Sequence, residues 1–476
     1  MFVFAALLSS ALGQVAPTRS GGNPIAPHIF VADPAAHVWP DDPDTLWVYT
    51  SHDHPGTNSY DTMTSYHAFS TKDLINWTDH GQIFSLKNVP WAASHAWASD
   101  AVYYRGKYYF IHCMKEKESG VFMTGIAVSD RPEGPFKDLG FITGSEWGQD
   151  PALFIDDDGN AYLFWGHDYL AYGARLSDDL KSILPETKVE LTKQLDDVFE
   201  GPWLNKINGK YYLSYAGIPN RKWPEALYYA TADSPLGPYK SRGQYTKRFG
   251  LQSDTNHGSV INFKGRWLSF YHSAWGSLGN TYNRSLMAEF LTINDDGSWN
   301  EVVPSTPGIS GGKPTTSRIW LEAEGGEAAG GQLMVTHVEN QTPGYSGAGY
   351  VTGFRVPPGK DGALYAVAKE CPSCPKRASV GSVMVLAQVA YDQEYHLKVR
   401  YSADQDTRLW VIVGAQVIKG SANSVNEVWA KATPAGFEMF DLGIVSLKAG
   451  DNEIRLFTRD NADIRIDAFE LVPVYK

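Results

Sequence analysis

Three acidic residues stand beside proline or glycine with an apolar strand behind them: Asp33 in VADPAAHVW, Asp150 in WGQDPALF and Glu200 in VFEGPWL. A carboxyl group at such a strand start suits a shared cleft better than a core. Converging carboxyls are what glycosidic bond cleavage needs. Inversion uses one carboxylate to activate water and one carboxylic acid to protonate the leaving oxygen, about 6.5–9.5 Å apart. A third nearby carboxyl makes ionisation of the acid harder and keeps it protonated near neutral pH. Each acid alone reads equally as a turn residue, since Asp-Pro and Glu-Gly-Pro are ordinary turn sequences. Three acids at matching repeat starts favour the cleft.

The elements that must bring them together show as a repeat. A glycine turn followed by an aromatic-rich strand recurs as RGKYYFIH, DGNAYLFW, NGKYYLSY and KGRWLSFY, with glycines at 106, 159, 209 and 265. An earlier copy, DPDTLWVYTSH from Asp42, replaces the glycine with Pro43 and Asp44. Each glycine copy follows another strand, which makes a hairpin, and three of the units continue into a third strand. Repeats of about fifty residues built from antiparallel strands predict an all-β protein opening with a five-bladed β-propeller; the regular spacing favours this over a long two-sheet sandwich. Asp156-Asp157-Asp158-Gly159 occupies a hairpin turn position, so a turn is expected there and not a calcium loop.

Composition narrows the partners. Of 476 residues, 15 are Trp, 26 Tyr and 21 Phe, an abundance that suits both sugar faces and propeller cores. The formal charge of −12 leaves no basic surface for a nucleic-acid partner. The start, MFVFAALLSSALGQ, reads as a signal peptide over residues 1–13 although it lacks a basic n-region; it is too short to span a bilayer, and no later segment is apolar enough. A secreted, extracellular monomer without a membrane partner is expected. Sequons at Asn76, Asn283 and Asn340 permit glycosylation. Cys371 and Cys374 could form a local disulfide, with Cys113 left over; no second ligand pair suggests zinc.

Residues 22–306 are expected to form the propeller, 307–318 a Gly/Pro/Ser/Thr-rich linker, and 319–476 a separate β-sandwich of the jelly-roll kind. The first part resembles glycoside hydrolase family 43 of clan F in the stretches NPIAPHIFVADPAAHVW, AWASDAVYYRGKYYF, QDPALFIDDDGNAYLFWG, FEGPWLNKINGKYYLSYA and NHGSVINFKGRWLSFYHS. The resemblance implies a five-bladed propeller of inverting enzymes that remove arabinofuranose or xylose from plant polysaccharide. It implies Asp33 as general base, Glu200 as general acid and Asp150 as the residue that orients the acid and raises its pKa. It also suggests His257 at the axis beside a hydrated cation, and Arg284 approaching the acid pair; a core histidine and a solvated arginine are the plain readings. Asp53 is a supporting candidate. Trp97, Trp147 and Tyr282 are candidate pocket walls, while Trp165 is expected in the core.

The C-terminal part resembles carbohydrate-binding modules of families 6 and 35 in WLEAE, GYSGAGYVTGF and DIRIDAFEL, with ALYAVAKECPSCPKRASVGS interrupting the pattern. That resemblance implies a structural calcium ion on Glu322, Glu324 and Asp467, and Tyr345, Trp410 and Asn461 as ligand candidates. No organic cofactor is expected. The implied activity is release of terminal α-L-arabinofuranosyl groups from arabinoxylan or a related plant cell-wall polysaccharide. A β-xylosidase is the runner-up, with exo-galactosidase or arabinanase behind it. A non-catalytic sugar-binding protein is the alternative of another class.

Overall fold

A computed structural model describes residues 21–329, 336–354, 381–413, 426–458 and 462–474. The first 13 residues, Cys371, Cys374 and Asn461 lie outside the described residues. Its regular secondary structure is almost entirely strand, with only short turns of 3-10 helix besides.

Antiparallel sheets follow one another along the chain: four strands each over residues 31–85, 92–146, 152–190 and 198–246, then three strands over residues 259–290. The repeated hairpins behave as their turn residues require. Arg105-Gly106, Asn208-Gly209 and Lys264-Gly265 all take positive φ at both positions, the geometry of a type I′ turn whose twist matches that of the flanking strands. Asp156–Gly159 is also a turn, closed by the Gly159 N–H donating to the Asp156 carbonyl at 2.8 Å. Aromatic residues fill the spaces between blades: Trp39, Tyr49, Tyr66, Phe110, Tyr211 and Tyr215 belong to one buried cluster. Trp165 is 1% exposed and sits in the core as expected.

The ring is closed by the chain start. Ile25 N–H donates to the Leu286 carbonyl, Val31 N–H to the Arg284 carbonyl, and the Asn23 side chain bonds both ways with the Ala288 backbone. Residues 22–31 therefore run along Ser285–Phe290 and complete the three-stranded fifth blade.

The C-terminal strands form a two-layer sandwich. One layer holds Thr316–Glu322, Ile464–Pro473, Gln393–Ala403 and Glu438–Leu447; the other holds Ser382–Val389, Gly450–Thr458 and Thr407–Val413. Alternating side chains such as Ile319, Leu397, Val399 and Ile466 meet Val383, Val385, Leu409 and Leu456 in a common core.

The expected linker is not a free one. Gly308–Ser310 is a buried turn of 3-10 helix, and Thr315 and Ser317 hydroxyls both donate to the Ile25 carbonyl. From Thr316 the chain already pairs in parallel with the outer strand of the first blade, Thr316 opposite Asn76 and Ile319 opposite Asp79. The first blade and one layer of the sandwich are thus a single continuous sheet. The Gly, Pro, Ser and Thr that suggested flexibility instead supply small side chains and hydroxyls for close packing. A buried polar chain crosses the same seam: Asp79 accepts from His28 and His67, and His67 meets Gln388 of the sandwich at 2.6 Å. One sequon is also excluded, because Asn283 is fully buried and its amide donates to the His54 and Tyr282 carbonyls.

Candidate active site

Backbone irregularity aims the acids. Asp33 and Asp150 hold left-handed φ of 54° and 50°, and Gly201, directly after Glu200, takes 64°. Asp33 lies at a register break between Ala32 and Ala35, and Glu200 at one between Val198 and Trp203. A bulge re-aims a side chain, and a left-handed non-glycine residue costs on the order of 1–3 kcal/mol that the surrounding sheet must offset. The strain is spent at the residues expected to do chemistry.

The three acids line one cavity of about 460 Å3. Its walls come from different blades: Tyr60 and Met63, Trp97 and Phe122, Trp147 and His167, then Phe199. Trp97 is fixed by its indole N–H donating to the Tyr60 carbonyl at 3.0 Å and by packing on Phe122. Trp147 is 55% exposed at the rim, stacked near His167. Tyr282 does not line the cavity; it packs edge-on behind Tyr60, so its role is to support that wall. Tyr60, Phe122 and Phe199 were not singled out from sequence, because nothing local separates a pocket aromatic from a core one.

Electrostatics separates the acids into two kinds. Arg284 is 3% exposed and donates to Asp33 at 3.1 Å, while its other nitrogens clamp Asp53 at 2.8 and 2.9 Å. The Ser51 hydroxyl also donates to Asp33, and His272 accepts from the Asp33 N–H. Burial alone would raise the Asp33 pKa, but the Arg284 charge, with the Ser51 hydrogen bond, outweighs it and holds the carboxyl below its ordinary range. Arg284 is thus a buried anchor and not a solvated charge.

Asp150 and Glu200 have no such anchor. Burial raises Asp150 well above the ordinary range, and the charges of Glu200 and Asp33 push it further. Its Oδ2 is buried without a hydrogen-bond partner. Burial likewise raises Glu200, and the charge acting on it most is not Asp150 but Glu225, followed by Asp33. Glu225 was missed in the sequence: it is fully buried, accepts from the Asn256 N–H at 2.5 Å, and is itself raised by burial. These three carboxyls titrate as a set and cannot all ionise together. The pattern is one ionised carboxylate facing carboxylic acids, the division of labour that acid–base chemistry requires.

His257 lies at the axis, its Nδ1 3.9 Å from Asp33 and 3.7 Å from Asp150. Burial lowers its pKa, so the ring is neutral. Beside it in sequence, Asn256 Oδ1 is a buried oxygen without a protein partner, as is Glu225 Oε1. No group of three metal-ligating side chains forms here among the described residues, so a cation at the axis would rest on His257 and water.

The sandwich acids differ. Ser346 bridges Glu322 and Asp467 through its hydroxyl at 2.8 Å to each, and Arg400 pairs with Asp467. The Ala348 N–H donates to Glu324. The expected three-acid calcium site is therefore not formed: Asp467 is committed to a guanidinium, and no group of three metal-ligating side chains is found among the described residues. The ligand candidates do not converge either. Tyr345 packs near Tyr350, whereas Trp410 is 6% exposed in the other layer against Phe457, with no open face for a sugar. Trp410 lies on the face of Thr407–Val413 opposite the core residues Leu409 and Val411, and is covered there by Arg408 and Phe457.

The family model for glycosyl hydrolases family 43 matches residues 22–299. Among curated proteins, the chain is 33% identical over 329 residues to xylosidase/arabinosidase 43A of Humicola insolens, covering 58% of this chain and 97% of that protein. It is 29% identical to the arabinoxylan arabinofuranohydrolase of Bacillus subtilis, covering 62% and 67%. Among solved structures, a β-xylosidase/α-arabinofuranosidase from a compost microbial metagenome, in complex with xylotriose and calcium-free, superposes with a TM-score of 0.53 at 31% identity over 60% of this chain and 98% of that one. A Bacillus subtilis arabinoxylan arabinofuranohydrolase shares the fold over 96% of this chain and 98% of its own, with a TM-score of 0.54 at 22% identity.

Proposed function

From the premise that the chain belongs to glycosyl hydrolases family 43, we propose an extracellular, inverting, exo-acting enzyme that removes terminal α-L-arabinofuranosyl groups from arabinoxylan. The observation that carries the reading is a single aromatic-walled cavity holding one carboxylate kept ionised by Arg284 and two carboxylic acids kept protonated by burial.

Asp33, ionised, takes a proton from water as that water attacks the anomeric carbon. Glu200, protonated, gives its proton to the departing oxygen. Asp150 receives a hydrogen bond from the Gly201 N–H, so it steadies the backbone that carries Glu200. Arg284 keeps Asp33 charged without competing for the proton, since a guanidinium does not titrate in the working range. A hydrated cation at the axis would be held by His257 and would add positive charge beside Asp33 and Asp150.

A second reading, release of terminal β-xylosyl groups, is favoured by relatives named xylosidase/arabinosidase. Chromatography of products from arabinoxylan, run with polymer viscosity, tests both. Free arabinose with little loss of viscosity is expected. Xylose as the main product would promote the second reading, and a rapid fall in viscosity would refute exo action.

A further inference from the structure

One sandwich turn meets the propeller outside the shared sheet. Ala390-Tyr391-Asp392 joins Ser382–Val389 to Gln393–Ala403. The Ala390 N–H donates to the His28 carbonyl at 2.6 Å, and the Tyr391 hydroxyl donates to the Gly276 carbonyl. The Tyr391 ring meets Phe30 edge-on at 5.0 Å, and Phe30, Ala390 and Tyr391 form a small buried cluster of their own. Asp392 ties the turn to its own domain, accepting from the Ala449 N–H at 3.0 Å and pairing with Lys448 at 2.7 Å.

The two propeller segments that Tyr391 touches are the ones that carry the charged anchor. The Phe30 carbonyl accepts from the Asp53 N–H at 3.0 Å, and the Val31 N–H donates to the Arg284 carbonyl at 2.9 Å. Asp53 then accepts from the Arg284 N–H at 2.8 Å and from its guanidinium at 2.8 and 2.9 Å, while Arg284 donates to Asp33 at 3.1 Å. On the other side the Gly276 N–H donates at 3.1 Å to the hydroxyl of Ser285, the residue after Arg284. Gly276 is closely walled: a Cβ there would lie 2.6 Å from Ser285 Oγ and 3.0 Å from the Tyr391 hydroxyl. Tyr391 is thus a wedge between Phe30 and the segment Gly276–Ser285. It does not line the cavity, so its path to Asp33 runs through Arg284.

We propose that Tyr391 of the sandwich is a positioning residue for the propeller's reaction: it holds the Phe30 and Gly276 segments at the spacing that aims Arg284, and through Arg284 the base Asp33. The proposal rests on the glycosidase reading above. A base works only within hydrogen-bond reach of the water it deprotonates, so a small shift in its support falls on the chemical step more than on binding. Docking alone would not need a tyrosine at this place. The seam already pairs Thr316–Ile319 with Asn76–Asp79, and none of those residues lines the cavity. Tyr391 stands where the seam meets the Arg284 anchor.

The test is kinetics of the full chain on an aryl α-L-arabinofuranoside and an aryl β-D-xyloside, at a temperature where every variant is folded. Tyr391→Ala should lower kcat about tenfold on whichever glycoside the wild type cleaves, and leave KM within about twofold. Tyr391→Leu fills the space without the hydroxyl or the ring edge; it should show the same loss, and it carries the test where Tyr391→Ala does not fold. Tyr391→Phe keeps the ring on Phe30 and should recover most of the loss. Arg318→Ala removes a seam contact to Thr78 and should leave kcat where it was. Because Tyr391 acts through Arg284, the two losses should not add: in an Arg284→Met background Tyr391→Ala should cost about twofold or less. An unchanged kcat, a loss confined to KM, an equal loss in Arg318→Ala, or a full further loss in the Arg284→Met background would each overturn the proposal. Wild-type protein that cleaves neither glycoside would instead bring down the glycosidase reading, and this inference with it.

Discussion

At the propeller axis Asp33, Asp150 and Glu200 face an open cavity; in the sandwich Glu322, Glu324 and Asp467 face donors from their own domain. Both triplets contain the same residue types drawn from distant parts of the chain. In the first, one fixed cation serves Asp33, and Asp150 keeps one oxygen without a partner in a place a substrate can enter. In the second, Ser346, Ala348 and Arg400 occupy oxygens of all three acids beside a smaller cleft of about 210 Å3. Each cluster keeps a buried carboxyl oxygen without a partner, Asp150 Oδ2 at the axis and Glu324 Oε2 in the sandwich; what separates them is that a fixed donor reaches every one of the sandwich acids. A buried polar group that lacks a partner carries a cost, and at the axis the substrate and water are placed to relieve it.

The widest gap between the two clusters is in turnover. Asp33→Asn should lower kcat about 10²–10⁴-fold on arabinoxylan oligosaccharides, because the water loses its base. Asp467→Asn should leave kcat on a small soluble substrate where it was. A matching loss in both variants would erase the distinction drawn here. Stability should sort the other way. Arg400→Ala leaves Asp467 buried without its cation and should cost about 3 kcal/mol, read as a lower denaturant midpoint. Asp33→Asn should not destabilise, since it replaces a strained, costly carboxylate. An unchanged midpoint for Arg400→Ala would mean that Ser346 alone satisfies Asp467.

The smallest effect concerns pH. Asp33 must be ionised, and its lowered pKa places the acid limb of kcat/KM below the ordinary carboxylate range; Glu200 must be protonated, and its raised pKa places the basic limb above that range. Activity is therefore lost as pH falls through the Asp33 value and as it rises through the Glu200 value. Arg284→Met removes a positive charge that depresses both groups, so in the residual activity both limbs should move upward by about one unit. Movement of the basic limb alone would show that Arg284 does not hold Asp33 ionised.

Much of this was legible in the chain because the signals are local. Gly106, Gly209 and Gly265 each mark a hairpin within a few residues of themselves, and Asp33-Pro34 or Glu200-Gly201 announces a bend with an acid on it. Glu225 carries no such mark: its position behind Glu200 follows from how the fourth and fifth blades meet, through the Asn256 backbone. Trp410 and Trp97 look alike in sequence, yet one is covered by neighbouring side chains and the other lines a cavity. The packed stretch after Ser305 misled for a related reason. Small polar residues signal freedom only when nothing covers them, and here the strand Asn76–Ser85 does.

That pairing bears on how the two halves could ever be separated. A propeller blade normally ends in an outer strand exposed to solvent, but the first blade of this protein spends its outer edge on Thr316–Glu322. Severing the chain nearby would bare unpaired N–H and C=O groups along Asn76–Asp79, a template for sticking to other chains. The sandwich thus acts as a sheath for an otherwise adhesive edge.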